Sequence, residues 1–179
     1  MSGLLKFTRY VDALNDRLAI IAAYFVLLSC LVSGVNASIR YAFDRGSNAW
    51  LELAWYLFAY TVMLGTAKVL RVNEHVRVDI IYGGRESRTK ALIDLFGLIF
   101  FLMPMALLMI YMSWAFVVDS YVGHEMSSNA GGLLRWPFKV VLPVGFALLA
   151  LQGVAEIIKR IAFLRGELRM DTHYERPLQ

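Results

Sequence analysis

Two uninterrupted apolar runs limit the folds open to this chain before any other feature is weighed. Leu18 to Ile39 carries no charge over 22 residues, and Leu95 to Val118 carries none over 24. A helix rising 1.5 Å per residue crosses a hydrocarbon layer of about 30 Å in about 20 residues, so each run is long enough to span a bilayer. Two shorter runs extend the pattern. Leu53 to Ala67 is uncharged for 15 residues and reaches spanning length with Trp50, Leu51 and Val69, placing Glu52 at one interface and a snorkelling Lys68 at the other. Val140 to Ala155 is uncharged for 16 and is lengthened by Trp136, Pro137 and Phe138, with Lys139 snorkelling. The reading is an all-α membrane protein with four transmembrane helices, at about 18–41, 48–69, 93–118 and 136–158.

Placement of the basic residues sets the expected orientation. Of 18 Lys and Arg, 14 fall before the first span, between the second and third, or after the fourth. Only Arg40, Arg45, Arg135 and Lys139 fall on the other side. Positive charge accumulates on the cytoplasmic side, so both termini are expected there, with residues 159–179 forming a basic cytoplasmic tail. Trp50, Trp55, Trp114 and Trp136 all lie toward the outer ends of the spans, as headgroup anchors should. With 59% apolar and 18% charged residues, the chain is a poor fit to a nucleic-acid-binding domain, a disordered protein or a disulfide scaffold. Cys30, the lone cysteine, forms no intrachain bridge.

Residues 1–17 form a leader. Asp12 and Asp16 within it, the length of the apolar run that follows and the lack of an A-x-A site argue against a cleaved signal peptide. Leu4, Phe7, Val11, Leu14 and Leu18 recur at helical spacing, which predicts either an amphipathic helix lying in the cytoplasmic interface or a helical extension of the first span.

Groups that carry chemistry are sparse. His75, His124 and His173 fall in different connections or the tail, and the topology puts the first two on opposite sides of the membrane, which excludes a shared haem or metal. No metal-spaced cluster, phosphate loop or nucleophile elbow occurs, so no cofactor and no enzymatic role is expected. The deepest polar residues are Ser29, Ser33, Asn36, Thr61, Ser113 and Gln152, with no charge at mid-membrane. Pro104 and Pro143 lie in continuous apolar runs and read as helix kinks rather than an unwound ion site. Glu52 and Asp94 sit near helix starts, where a carboxylate is favoured by the positive helix end. Glu52 also faces Arg40 across a short connection, and a structural Arg40–Glu52 pair is expected in preference to a proton relay. Between Arg71 and Tyr82, Val76, Val78 and Ile80 alternate with His75, Arg77 and Asp79. That is a period of two, which suits a polar loop dipping into the interface.

Glu52 opening the second span, Gly65-Thr66-Ala67 closing it and the stretch His75-Val76-Arg77-Val78-Asp79 together resemble the small membrane subunit (DctQ type) of tripartite ATP-independent periplasmic transporters. Ser127-Ser128, Gly131-Gly132, Leu134-Arg135-Trp136-Pro137-Phe138-Lys139, Leu142-Pro143-Val144-Gly145-Phe146 and Gln152-Gly153 extend the likeness, which covers roughly 15–160. Ala54-Trp55-Tyr56 departs from it, since relatives often carry Ser-Arg-Tyr there. The resemblance implies an inner-membrane subunit working with a large multi-span subunit that bears the substrate and sodium sites, and with a periplasmic receptor that delivers an organic acid. The small subunit is then a static scaffold. On this reading Glu52, His75, Arg77, Asp79, Gly65, Ala67, Ser33 and Gly34 are candidates for the seam with the large subunit, packing within the chain being the competing account of the small residues. Asp44, Arg45, Asp119 and Glu125 are candidates for receptor docking. A stand-alone four-helix carrier or membrane anchor is the alternative.

Overall fold

A computed structural model of the chain describes residues 2–72 and 85–168. They form four long helices, α1 (Ser2–Phe43), α2 (Asn48–Val72), α3 (Ser87–Val122) and α4 (Trp136–Leu164), each long and apolar enough to cross a membrane. The one extended pairing among the described residues is an isolated antiparallel bridge between Met126 and Leu134 in the α3–α4 connection.

No separate leader helix exists. Residues 2–17 and the first span are one continuous helix, because nothing between Gly3 and Gly34 interrupts helical backbone and α1 contains no proline. The face turned inward is Thr8, Val11, Asn15 and Ala22, and of the apolar residues at helical spacing Val11 alone is buried. Leu4, Phe7 and Leu14 point outward.

Helix α1 packs antiparallel on α2, with the Ser29 hydroxyl donating to the Ala54 carbonyl (2.8 Å) and Thr61 donating to the Ala22 carbonyl (3.2 Å). Helix α2 lies beside α4 with both running the same way: Tyr56 stacks on Phe138 (4.7 Å between centroids) and, two turns on in each helix, Met63 lies against Gly145, while the Tyr60 hydroxyl donates to the Pro137 carbonyl at 2.6 Å. Helix α3 makes its substantial packing against α4 alone, whereas α4 touches all three partners. The result is a slab with α4 at its centre and broad apolar faces on α1 and α3. Phe96, Phe100 and Phe101 cluster on one such face, all exposed.

Close approach comes from small residues, as expected where lipid supplies no hydrophobic drive between helices. Ala22, Ala54, Ala67, Ala106, Ala155 and Ala162 are all buried. Pro104 has its effect one turn earlier: it supplies no N–H to the preceding turn, and Leu98–Leu102 widens into a π turn. Leu102 and Met103 then lie directly over Gly153 of α4. Pro143 sits buried within an unbroken α4. At Gly145 an added Cβ would stand 2.7 Å from the Met63 Cβ and 3.1 Å from the Met63 carbonyl oxygen. Gly145→Ala is therefore expected to destabilise the protein by about 1–3 kcal/mol, read as a lower thermal midpoint in detergent. Gly34→Ala and Gly65→Ala, where nothing lies within 4 Å of the added carbon, should leave that midpoint unchanged or raised.

Candidate functional site

Polar groups collect at the two ends of the slab. The loop end carries the α1–α2 and α3–α4 connections; the terminal end carries the start of α1 and the end of α4.

At the loop end the buried Glu52 carboxylate is clasped by the α3–α4 connection. Oε1 accepts hydrogen bonds from the Ser127 hydroxyl and from Asn129 Nδ2 (2.7 Å), and Oε2 accepts from the Leu133 backbone N–H (2.9 Å). The connection is shaped for this. Ser127 N–H donates to the Leu133 carbonyl (3.0 Å), and Gly131 takes a φ of 69°, a left-handed turn that a glycine adopts freely. At Gly132 an added Cβ would lie 2.4 Å from the Ser127 Cβ. A second tie runs to α4: the buried Lys139 binds the Glu125 carboxylate, with its ammonium 3.7 Å from the centre of the Phe116 ring, and Arg135 lies 3.5 Å from the same carboxylate. Lys139 thus does not snorkel into solvent.

At the terminal end every helix contributes to a charged network. Gln152, fully buried, donates to Asp12 (2.9 Å) and Glu156 (3.0 Å), which fixes its amide so that Oε1 accepts from Asn15 (2.7 Å). Lys159 bridges Asp12 and Glu156 at 2.8 Å each. Arg160 joins Glu156 to Asp94 of α3 (3.2 Å). Asp16 pairs with Arg71 (2.8 Å) and Lys68 (3.5 Å) of α2. Four carboxylates thus meet four cations.

Several sequence expectations change here. The Arg40–Glu52 pair is not formed: the Arg40 guanidinium covers Gly46, where an added Cβ would stand 2.7 Å from its Nε, and Glu52 is satisfied by the α3–α4 connection instead. Three donors that never leave the chain make Glu52 a structural anchor for a loop. Asp94 is not a helix-start carboxylate, because α3 begins at Ser87 and Asp94 lies two turns in, bound to Arg160. Among the small residues named for a seam, Ala67 is buried within the chain, Gly65 is half-buried with open space beside it, and Ser33 and Gly34 are exposed. Asp44 (φ 52°), Arg45 and Asp119 are exposed at the loop end, whereas Glu125 is partly occupied by Lys139 and Arg135. Trp50, Trp55 and Trp114 are exposed, and Trp136 stands edge-on to Tyr121. His75, Arg77 and Asp79 lie outside the described residues.

The partners of Glu52 and the terminal network were not anticipated. Signals for both exist in the sequence: a turn-forming Ser-Ser-Asn-Ala-Gly-Gly run, and polar residues at helical spacing in Asp12/Asn15/Asp16 and Gln152/Glu156/Lys159/Arg160. Among the described residues no three His, Cys, Asp or Glu form a group that could hold a metal ion.

Fold and clusters define a four-helix integral membrane protein whose buried ionisable groups, among the described residues, pair within the chain. The chain belongs to the DctQ family: residues 29–163, about three quarters of its length, match the family described as tripartite ATP-independent periplasmic transporters, DctQ component. It is thus a multi-pass small membrane subunit of such a transporter, and the family is not one of enzymes. A comparison with curated proteins and one with solved structures each returned no match.

Two predictions follow from the loop-end geometry. Glu52→Ala strands three donors at a cost of about 1–3 kcal/mol each where they stay buried, so residues 123–135 should lose hydrogen-exchange protection, with Glu52→Gln intermediate. Glu125 is held below its ordinary value of 4.5 by its hydrogen bond from Lys139, with Arg135 adding to the effect. A carboxyl lowered in the fold stabilises above the unfolded value and loses that contribution as pH falls through the folded one. The thermal midpoint should therefore hold steady down to the ordinary carboxylate range and fall below it, with Glu125→Gln flattening the fall.

Proposed function

We propose that this subunit is the static scaffold of a sodium-coupled transporter of organic acids, flanking a large elevator-type subunit and offering part of the landing surface for a periplasmic receptor. Both termini face the cytoplasm and the loop end faces the periplasm of the inner membrane. The observation that carries this reading is the middle of the slab. The hydroxyls at that depth, Ser29, Thr61 and Ser113, each donate to backbone carbonyls, and the charged groups are gathered at the ends. Those three hydroxyls are thus engaged within the chain, which supports assigning the moving, substrate-bearing part to a partner chain. The slab form favours the same role. A unit of four helices flanking a carrier widens its footprint in the bilayer. At the loop end, a connection tied to α2 through Glu52 and to α4 through Lys139 presents a fixed surface for a soluble protein.

Proteoliposomes test the assignment directly. Vesicles holding this chain alone should accumulate none of a panel of radiolabelled carboxylic acids under an inward sodium gradient. Vesicles holding it with the large subunit, and supplied with the receptor, should accumulate at least one. Sodium-driven uptake by the chain alone overturns the scaffold reading and favours a stand-alone carrier.

A further inference from the structure

Helix α1 is longer than a membrane requires. Its 42 residues extend about 63 Å, about twice the hydrocarbon thickness. The uncharged run starts at Leu18, just past the Asp16 and Asp12 ion pairs that mark where the slab turns polar. Phe7 and Leu4 then lie roughly 16 and 21 Å beyond that boundary, whereas the headgroup layer adds only about 5–8 Å. A tilt of about 20° shortens these heights little. Because α1 is unbroken, the segment cannot fold down flat onto the bilayer.

What it displays there is sorted by charge. Its two acids, Asp12 and Asp16, turn to ion pairs with Lys159, Arg71 and Lys68. Its bases, Lys6, Arg9 and Arg17, are exposed and make no ion pair among the described residues. Between them stand apolar side chains with large open surfaces: Leu4 is 49% exposed, Phe7 39%, Tyr10 77% and Leu14 43%. Lipid tails do not reach this height, and a second copy would set like charges against each other.

We infer that the projecting first turns of α1 are a docking helix for a protein partner that offers an apolar groove rimmed by carboxylates. Resting on the function proposed above, that partner is the surface of the large membrane subunit on the same side of the bilayer. The helix-in-groove mode accounts for both halves of the display, with Leu4, Phe7 and Leu14 as anchors at helical spacing and Lys6 and Arg9 as the charged rim. The opposite face, Thr8, Val11 and Asn15, stays packed on this chain and holds the helix in position.

The test uses the purified pair of membrane subunits reconstituted in vesicles of phosphatidylethanolamine and phosphatidylglycerol. A photoreactive p-benzoylphenylalanine placed at Phe7 should yield an adduct with the large subunit on illumination. Adducts confined to lipid, to a second copy or to this chain itself overturn the inference. In parallel, Lys6→Glu/Arg9→Glu and Leu4→Ser/Phe7→Ser, which leave the buried face untouched, should each weaken association of the two subunits roughly tenfold. Unchanged affinity in both variants also overturns it. If the unaltered chain fails to associate with the large subunit at all, the proposed function itself falls; if it associates but position 7 labels something else, only the docking helix does.

Discussion

A polar group in an apolar slab has to find its partner within the protein, since the surrounding hydrocarbon offers none. In this chain that requirement decides where the helices meet. Glu156 of α4 is the clearest case: one carboxylate holds Lys159, Arg160 and Gln152, and through them reaches Asp12 of α1 and Asp94 of α3. Such a network adds little net stability over well-packed apolar residues, because desolvation offsets most of the attraction. Its effect falls on register. Sliding α4 by one residue turns Glu156 through about 100° and leaves buried cations unmatched, a loss of about 3–5 kcal/mol for a broken buried pair.

The two ends solve the same problem differently. At the terminal end helices bind one another directly, side chain to side chain. At the loop end a connection is the intermediary. Glu52 needs donors, and neighbouring helices are poor sources because their backbone N–H groups are already used. The α3–α4 connection supplies them, with one free backbone N–H at Leu133 and two side chains held in place by the turn at Gly131 and Gly132. The order of residues 123–135 therefore depends on a carboxylate in α2, about 80 residues earlier in the chain.

The number of spans was legible because it rests on length and apolarity, which are local quantities. Glu52 was also legible as a residue of structural weight, since a carboxylate at the mouth of a span needs a partner. Its partner was not. Arg40 is close in sequence and of the right charge, but its guanidinium lies over Gly46, and hydrogen-bond donors from a distant connection served instead. Asp94 misled for a related reason: its run looked like a helix start because the charges before it are dense, yet charged residues Arg88 and Lys90 already lie inside α3. The terminal network was hidden by register. Asp12 and Lys159 stand 147 residues apart, and although four spans with both ends on one side make α1 and α4 antiparallel, nothing in either neighbourhood sets the register that brings these two together. The leader's continuation of the first span was one of the two arrangements legible from its helical spacing. Which face turns inward was not legible, because Asn15 is drawn in by Gln152, a residue of the distant α4.

That pairing bears on how a scaffold differs from a carrier. A carrier has to leave polar groups at mid-depth available to its solute or coupling ion. Here Ser29, Thr61 and Ser113 are bound to backbone carbonyls that cannot leave their helices, and the charges at both ends are tied across helix boundaries. Any shear between α1 and α4 breaks the Asp12 and Gln152 contacts together, and any shear between α2 and α4 pulls the connection off either Glu52 or Lys139. Both displacements expose unpaired polar atoms to lipid, so they are opposed on every pair of surfaces by the same rule that placed the groups there. A unit built in this way resists internal shear, which supports the scaffold role proposed above.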